Sequence, residues 1–156
     1  MTRVAWRIVK EKYAAAAFDG EGAMRYGGRW NSRGSRVIYT SGSLALAALE
    51  TLVHLNPPVA FRYVRFRVEF PDKLLTEIAT GDLPADWRIE PPGPATQTLG
   101  DHWIRDGRSA VLAVPSTIVP EEVNYLLNPA HGDFGRIAIG EAQTFAFDPR
   151  LTRAKT

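Results

Sequence analysis

The chain has 156 residues, 45% of them hydrophobic, and its 19 Lys and Arg against 17 Asp and Glu give a formal net charge of +2. This length fits one domain over residues 1–156, and the apolar content excludes an intrinsically disordered chain. Cysteine is absent, which excludes disulfides, thiolate metal sites and a cysteine nucleophile, so we expect a protein of the reducing cytoplasm. Because the N-terminus has no apolar segment and no apolar run reaches about 20 residues, we expect neither export nor membrane insertion.

The first third of the chain is predicted to contain two strands, a glycine-rich loop and a helix. A strand at 4–9 precedes a short helical turn at 14–18 and a loop at 20–28, where glycine permits positive φ and close approach to a ligand. The β-branched and aromatic run 36–40 predicts the next strand. Ser43 is a good N-cap for a helix over 44–55, which ends before Asn56-Pro57-Pro58 because proline disfavours α geometry in the preceding residue.

The remaining elements are short. Residues 61–70 alternate with period two and predict a half-buried strand whose Val and Phe side faces the core. The proline-rich segment 84–94 predicts an irregular connection, which leads to a helix over 96–106 that ends at Gly107 and to a strand over 110–114. A helical turn is predicted at 121–127 and the final strands at 136–147. Short strands mixed with a few helices, without regular β-helix-β alternation, predict an α+β fold.

Glu50 is the only acidic residue of the predicted helix 44–55. Because this helix is apolar almost all round, most of it is expected to be covered by the rest of the protein. Glu50 then either lies in a solvent-facing seam beside Thr51 and His54, or points into a cleft, where its charge would need polar partners.

Further candidates lie beside the predicted strands and glycines. Arg29 follows two glycines, and its donors suit phosphate or carboxamide oxygens, although such an arginine often anchors its own loop. Tyr39 could form a wall of a cleft or pack in the core. Ser116 follows the strand 110–114, a common place for site residues and also for plain turn residues. Asn124 and Asn128 could hydrogen-bond the backbone of their loop.

Several function classes lack their sequence signatures. The histidines His54, His102 and His131 do not have the spacing of a metal site, so no metal is predicted. Neither a Gly-x-Gly-x-x-Gly nor a P-loop pattern occurs, and no Gly-x-Ser-x-Gly elbow supports a serine hydrolase.

Positive charge is concentrated near the N-terminus. Residues 1–40 hold eight Lys or Arg and three Asp or Glu, a balance that favours an anionic ligand, although each basic residue could equally be solvated. The strand 61–70 combines arginines with aromatic rings, as a nucleic-acid platform would. Its outward residues Arg65, Arg67 and Glu69 carry both signs of charge, however, which is more typical of an exposed, salt-bridged face.

A series of motifs, taken in order, resembles one family. The motifs are Gly27-Gly28-Arg29-Trp30-Asn31, Val-Ile-Tyr-Thr-Ser at 37–41, Ala-Leu-Ala-Ala-Leu-Glu at 45–50 with Val53-His54-Leu55, and Val-Pro-Ser at 114–116 leading to Asn-Tyr-Leu-Leu-Asn-Pro. Over nearly its whole length the chain resembles the RES-domain family, the toxins of RES and Xre toxin-antitoxin pairs. The family is named for an Arg, a Glu and a Ser, which match Arg29, Glu50 and Ser116.

The resemblance implies a fold like that of ADP-ribosyltransferases, with short mixed strands and a few helices around an NAD cleft. It also implies an enzyme that degrades NAD+ by glycohydrolase or phosphorylase chemistry and so arrests growth, with NAD+ as substrate and no cofactor. The implied partner is an antitoxin with an Xre-type DNA-binding domain. Direct binding of nucleic acid is not expected, and a homo-oligomer or larger toxin-antitoxin assembly is left open.

The resemblance also gives each candidate a role. Arg29, Glu50 and Ser116 would be catalytic, and NAD+ would be bound by these three together with Asn31 and Tyr39. Glu50 would stabilise the positive charge that develops on the ribose as the bond to nicotinamide breaks. Tyr39 would stack on the nicotinamide, Arg29 would bind phosphate or carboxamide oxygens, and Ser116 would position the ribose.

Two alternatives stay open at this point. On the same fold, the ADP-ribose could be transferred to a protein or to phosphate instead of to water. From a different class, the chain could be a non-catalytic basic module that binds RNA or a partner protein through its first quarter, with strongly salt-dependent affinity for RNA.

Overall fold

The computed structural model describes residues 1–55 and 61–152. Within this part of the chain, eight strands form one sheet: β1 (Thr2–Lys10), β2 (Ile38–Ser41), β3 (Tyr63–Pro71), β4 (Leu75–Glu77), β5 (Val111–Pro115), β6 (Val123–Leu127), β7 (Ala138–Ile139) and β8 (Gln143–Phe145). The α-helices are α1 (Glu21–Tyr26), α2 (Leu44–Leu52), α3 (Pro94–Asp106) and α4 (Pro149–Thr152). Short 3-10 turns occupy Glu11–Ala16, Asp72–Leu74, Thr80–Asp82 and Phe134–Arg136.

The sheet is mixed and mostly antiparallel. Its order is β4-β5-β6-β2-β1-β3-β7, and β8 pairs with β3 beside β7. The parallel pair β4 and β5 is connected through α3, while the other neighbours are antiparallel. A mixed sheet with a few helices agrees with the α+β prediction.

The two faces of the sheet bury different sets of side chains. Successive residues of a strand point to opposite faces, so the strand register assigns each side chain to one of them. One face carries the largest cluster, with Ala5, Ile38, Val68, Phe70, Val111 and Leu127, and a smaller one with Ala17, Val64 and Phe66. The opposite face carries two separate clusters: Trp30, Trp103, Leu112, Val114 and Leu126 under α3, and Ile8, Ala47 and Tyr63 under α2. The helices α2 and α3 therefore lie over the same face.

Several predicted elements are confirmed. The Ser43 side chain caps α2 by accepting a hydrogen bond from the Leu46 amide at 3.0 Å, and Gly107 ends α3 in the left-handed region at φ 60°. The Val and Phe side of β3 is buried as predicted. The helix α2 ends at Leu52, earlier than predicted, and the Asn56-Pro57-Pro58 stop lies outside the described residues.

Two predictions are wrong. The glycine-rich segment 20–28 contains the helix α1, whose ends are marked by Gly20 and Gly27 at φ 72° and 71°. The glycines therefore delimit a helix, and Ala23 and Met24 between them are good helix formers. Residues 121–127 are not a helical turn: β6 pairs along its whole length with β5 and also with β2. This two-sided pairing outweighs a weak local preference.

No described helix has the length and apolar character that would be needed to cross a bilayer.

The close packing of α3 on the Trp30 loop gives a stability prediction. A Cβ built on Gly100 would lie 1.6 Å from the Trp30 carbonyl oxygen, so Gly100→Ala forces two backbones apart. We expect a loss of about 3 kcal/mol or more in the free energy of unfolding, measured by urea denaturation. The matched control is Gly22→Ala in α1, where a Cβ meets no atom within 4 Å, and the expected change is within about 1 kcal/mol. Equal stability of the two variants would contradict the packing of α3.

Candidate active site

Glu50 lies in a polar cluster that joins three distant parts of the chain. Its Oε1 accepts a hydrogen bond from the Ser116 hydroxyl at 2.8 Å and another from the Asn124 amide nitrogen at 2.7 Å. We call Glu50, Ser116 and Asn124 the carboxylate cluster. Of the two positions that the sequence left open, the structure gives Glu50 the one with polar partners. Thr51, its neighbour in the seam alternative, donates its hydroxyl to the Ala47 carbonyl of its own helix at 2.8 Å and not to Glu50.

Ser116 uses all of its hydrogen-bonding capacity within the protein. It is completely buried, and its oxygen accepts hydrogen bonds from the Ile118 and Val119 amides, both at 3.1 Å. With both acceptor positions taken, the hydroxyl hydrogen is directed at Glu50. Ser116 therefore ties the loop after β5 to the carboxylate and has no capacity left for another partner.

The sheet register explains how the carboxylate cluster is assembled. Ser41 is paired with Asn124, and Asn124 is paired in turn with Val114, so β2, β6 and β5 align at this level. The chain leaves β2 at Ser41 and enters α2 at the Ser43 cap. Burial of Leu46 and Ala47 fixes α2 against the sheet and turns the half-buried Glu50 toward β6.

A second cluster surrounds the Tyr39 hydroxyl. This hydroxyl donates to the Asn31 side-chain oxygen at 2.6 Å and accepts from the Trp30 amide at 3.1 Å. Asn31 is completely buried, and its amide nitrogen donates to the Ala23 carbonyl at 2.8 Å. Burial raises the pKa of the Tyr39 phenol well above its usual range. The hydroxyl is therefore neutral and already occupied, and the half-buried ring packs against the cluster that contains Trp30, Leu112 and Leu126.

Steric crowding explains why the residue before Arg29 is a glycine, Gly28. A Cβ on Gly28 would lie 2.6 Å from the Tyr39 hydroxyl oxygen, so this backbone approaches Tyr39 closely. The glycine-rich motif thus serves packing against Tyr39, whereas the sequence suggested close approach to a ligand.

Tyr39 and the carboxylate cluster share one face of the sheet. Tyr39 is paired with Leu126, and Asn124 lies two residues from Leu126 on β6. Such diagonal neighbours point to the same side, roughly 7–8 Å apart. The Tyr39 ring and the carboxylate cluster therefore lie on the face of the sheet that α2 and α3 cover.

Arg29 contacts a different part of the chain. Its Nη1 donates to the Trp87 and Ile89 carbonyls at 3.0 and 2.8 Å, and its Nη2 is paired with the Glu90 carboxylate. We call residues 87–90 the bridging segment. Arg88 in this segment donates twice to the Thr117 carbonyl, at 3.1 and 2.8 Å. The bridging segment thus connects the Arg29 loop to the loop that follows Ser116.

Several basic residues of the N-terminal quarter form ion pairs or hydrogen bonds within the protein. Arg3 pairs with Asp72 at 2.8 Å, and Arg25 pairs with Glu21 at 2.7 Å. Arg7 donates to the backbone carbonyls of Ala17 and Tyr39, and burial lowers its pKa to about 10. This pattern does not favour the alternative of an open basic surface for RNA.

Asn124 and the bridging segment are the parts of the site that sequence reasoning missed. The sequence pattern predicts a helical turn at 121–127 and gives Asn124 only a bond to the backbone of its loop. Recognition of β6 as a strand would have placed Asn124 on the same face as Leu126. No spacing signal points from Arg29 to the carbonyls near position 88, since these contacts depend on the fold alone. Among the described residues, no group of three or more His, Asp or Glu side chains could hold a metal ion.

Comparison with known proteins agrees with the resemblance in the motifs. A family model described as RES domain matches residues 4–148. The chain is 44% identical over 161 residues to the "Prs ADP-ribosylating toxin" of Sphingobium sp., which covers 98% of this chain and 99% of that protein. It is 41% identical to "Toxin Res" of Yersinia enterocolitica, with 94% and 97% covered, and 34% identical to "Toxin Res" of Photorhabdus laumondii, with 97% and 99% covered. The chain therefore belongs to the RES domain family.

Proposed function

We propose that this protein is a toxin that cleaves the bond between nicotinamide and ribose in NAD+. The observation that carries the proposal is the Glu50 carboxylate, half-buried and held through one oxygen by two neutral donors. Membership of the RES domain family supports it, as do relatives that are named toxins. The fold would be related to that of ADP-ribosyltransferases.

The chemistry of the step requires a fixed negative charge. As the glycosidic bond breaks, positive charge develops on the ribose, and a preorganised carboxylate in a poorly solvated site stabilises this state. Oε1 of Glu50 is occupied by Ser116 and Asn124, whereas Oε2 has no hydrogen-bond partner among the described residues. Oε2 is then the oxygen that would face the ribose.

The other predicted residues fit around this centre. The Tyr39 ring would stack on the nicotinamide, while its hydroxyl keeps Asn31 in place. Asn31 and Ser116 are both completely buried, so we propose that they act through Tyr39 and Glu50 and not by direct contact with NAD+.

Arg29 would bind the phosphate or carboxamide oxygens of the dinucleotide. A guanidinium has five N–H donors, and three are used on Trp87, Ile89 and Glu90. The remaining donors, or those released from Glu90, would reach the substrate.

A second candidate is transfer of the ADP-ribose to a protein. It is favoured by the name of one relative, "Prs ADP-ribosylating toxin", to which the chain is 44% identical. Both candidates share the same bond cleavage and differ in the acceptor, which is water or phosphate in one case and a protein side chain in the other. Mass spectrometry of products from labelled NAD+, with and without phosphate and lysate, distinguishes them.

We also propose a partner that restrains the activity in the cell. Relatives named "Toxin Res" suggest an antitoxin, and an Xre-type DNA-binding protein is the form we expect. A small helix-turn-helix protein encoded beside this chain would support the pairing.

The role of Glu50 is tested by Glu50→Gln, which keeps both acceptor contacts at Oε1 and removes the charge. We expect the turnover of NAD+ to fall about 100- to 1,000-fold with little change in thermal stability. Released nicotinamide, quantified by chromatography, is the measurement, and Glu141→Gln, at an exposed acid, is the control. A variant that consumes NAD+ at the parental rate would show that Glu50 is not the catalytic carboxylate.

The role of Arg29 is tested by Arg29→Ala, compared with Glu90→Gln. Loss of a charged hydrogen bond to substrate costs about 1.5–3 kcal/mol, so kcat/KM should fall by roughly 10- to 100-fold, mainly through KM. Glu90→Gln leaves the guanidinium in place and removes only its exposed carboxylate partner, so KM should stay at or below the parental value. Unchanged steady-state parameters in a folded Arg29→Ala protein would exclude substrate binding by Arg29.

A further inference from the structure

Asn124 is the member of the carboxylate cluster to which the motif comparison gave no role. We propose that Asn124 is a positioning residue: together with Ser116 it holds Glu50 by one oxygen, so that the other oxygen faces the substrate. This inference rests on the proposed function, because it names what orients the carboxylate of that reaction.

The orientation of the Asn124 amide is fixed by charge. Its Nδ2 donates to Glu50 Oε1 at 2.7 Å. Rotation of the amide by half a turn would bring Oδ1 against the carboxylate oxygen, and two acceptors would then repel each other. The Asn124 side chain is therefore committed as a donor to Glu50.

The other end of this amide is left without a partner. Asn124 Oδ1 is sealed from solvent and makes no hydrogen bond within residues 1–55 and 61–152. A buried acceptor without a donor destabilises the fold, and such groups in native proteins call for an explanation. Orientation of Glu50 supplies one.

Asn128, four residues further along, shows the contrasting case. Its nitrogen donates to the Ile104 carbonyl at 3.2 Å, and its oxygen accepts from the Ala130 amide at 3.0 Å. Both ends of Asn128 thus serve the fold, whereas Asn124 uses only the end that faces Glu50. The two asparagines of the Asn-Tyr-Leu-Leu-Asn run have different tasks.

The chemical type of the two donors also affects the negative charge of the Glu50 carboxylate. Asn124 and Ser116 are neutral, and within the described part of the chain no Lys, Arg or His is ion-paired with Glu50. A cationic partner would fix the carboxylate equally well but would offset its negative charge. These neutral donors orient the group and leave its charge available to a cationic transition state.

The first test is a double-mutant cycle of Asn124→Ala with Glu50→Gln, read out as NAD+ turnover. Misplacement of a catalytic group can cost up to about 100-fold, so Asn124→Ala should lower kcat by about 10- to 100-fold with KM nearly unchanged. In the Glu50→Gln background the same change should have no further effect, because Asn124 acts through Glu50. The control is Thr40→Val, which removes a buried hydrogen bond to β6 on the other face and should leave kcat unchanged.

The outcomes separate this inference from the proposed function. If the parent protein consumes no NAD+, with or without lysate as a source of acceptors, the proposed function fails and this inference fails with it. If the parent is active and Asn124→Ala keeps the parental kcat, or if its effect is fully additive with Glu50→Gln, only the inference on Asn124 is overturned.

A second readout guards against a purely structural effect. In urea denaturation, both Asn124→Ala and Thr40→Val should increase the unfolding equilibrium constant, but only Asn124→Ala should lower kcat of the folded protein. If kcat falls equally in the two variants, the loss follows stability and Asn124 has no positioning role.

Discussion

The candidate site depends on one polar cluster, in which the Glu50 carboxylate receives hydrogen bonds from Ser116 and Asn124. These residues belong to α2, the loop after β5, and β6, so a single oxygen joins a helix to the centre of the sheet. A half-buried carboxylate destabilises the fold unless hydrogen-bond donors replace the water that it loses. Here two neutral donors bind one oxygen, which compensates for the burial and leaves the negative charge in place.

The glycine-rich N-terminal motif supports this centre by packing. Gly28 lies against the Tyr39 hydroxyl, and Gly100 of α3 lies against the Trp30 carbonyl, so two glycines bring the motif onto β2 and α3. Tyr39 then presents its ring on the face that carries Asn124. The carboxylate and the ring are held by separate networks, one through α2 and one through the Trp30 loop.

Sequence reasoning succeeded where a local signal exists. The Ser43 cap, the alternation in 61–70 and the Gly107 stop follow from side-chain chemistry within a few residues. The strand β6 was missed because its conformation is set by β2 and β5 on either side. For the same reason the link between Glu50 and Asn124 could not be predicted: the pairing of Ser41 with Asn124 is a property of the assembled sheet. The contacts of Arg29 with Trp87, Ile89 and Glu90 span about 60 positions and carry no motif.

The most direct test of the central claim is a crystal structure of the Glu50→Gln variant with NAD+ bound, in which the substrate should remain intact. We expect the nicotinamide ribose to lie at the oxygen or nitrogen of residue 50 that Ser116 and Asn124 do not contact, with the nicotinamide against the Tyr39 ring. A dinucleotide bound with its nicotinamide ribose away from residue 50 would contradict it.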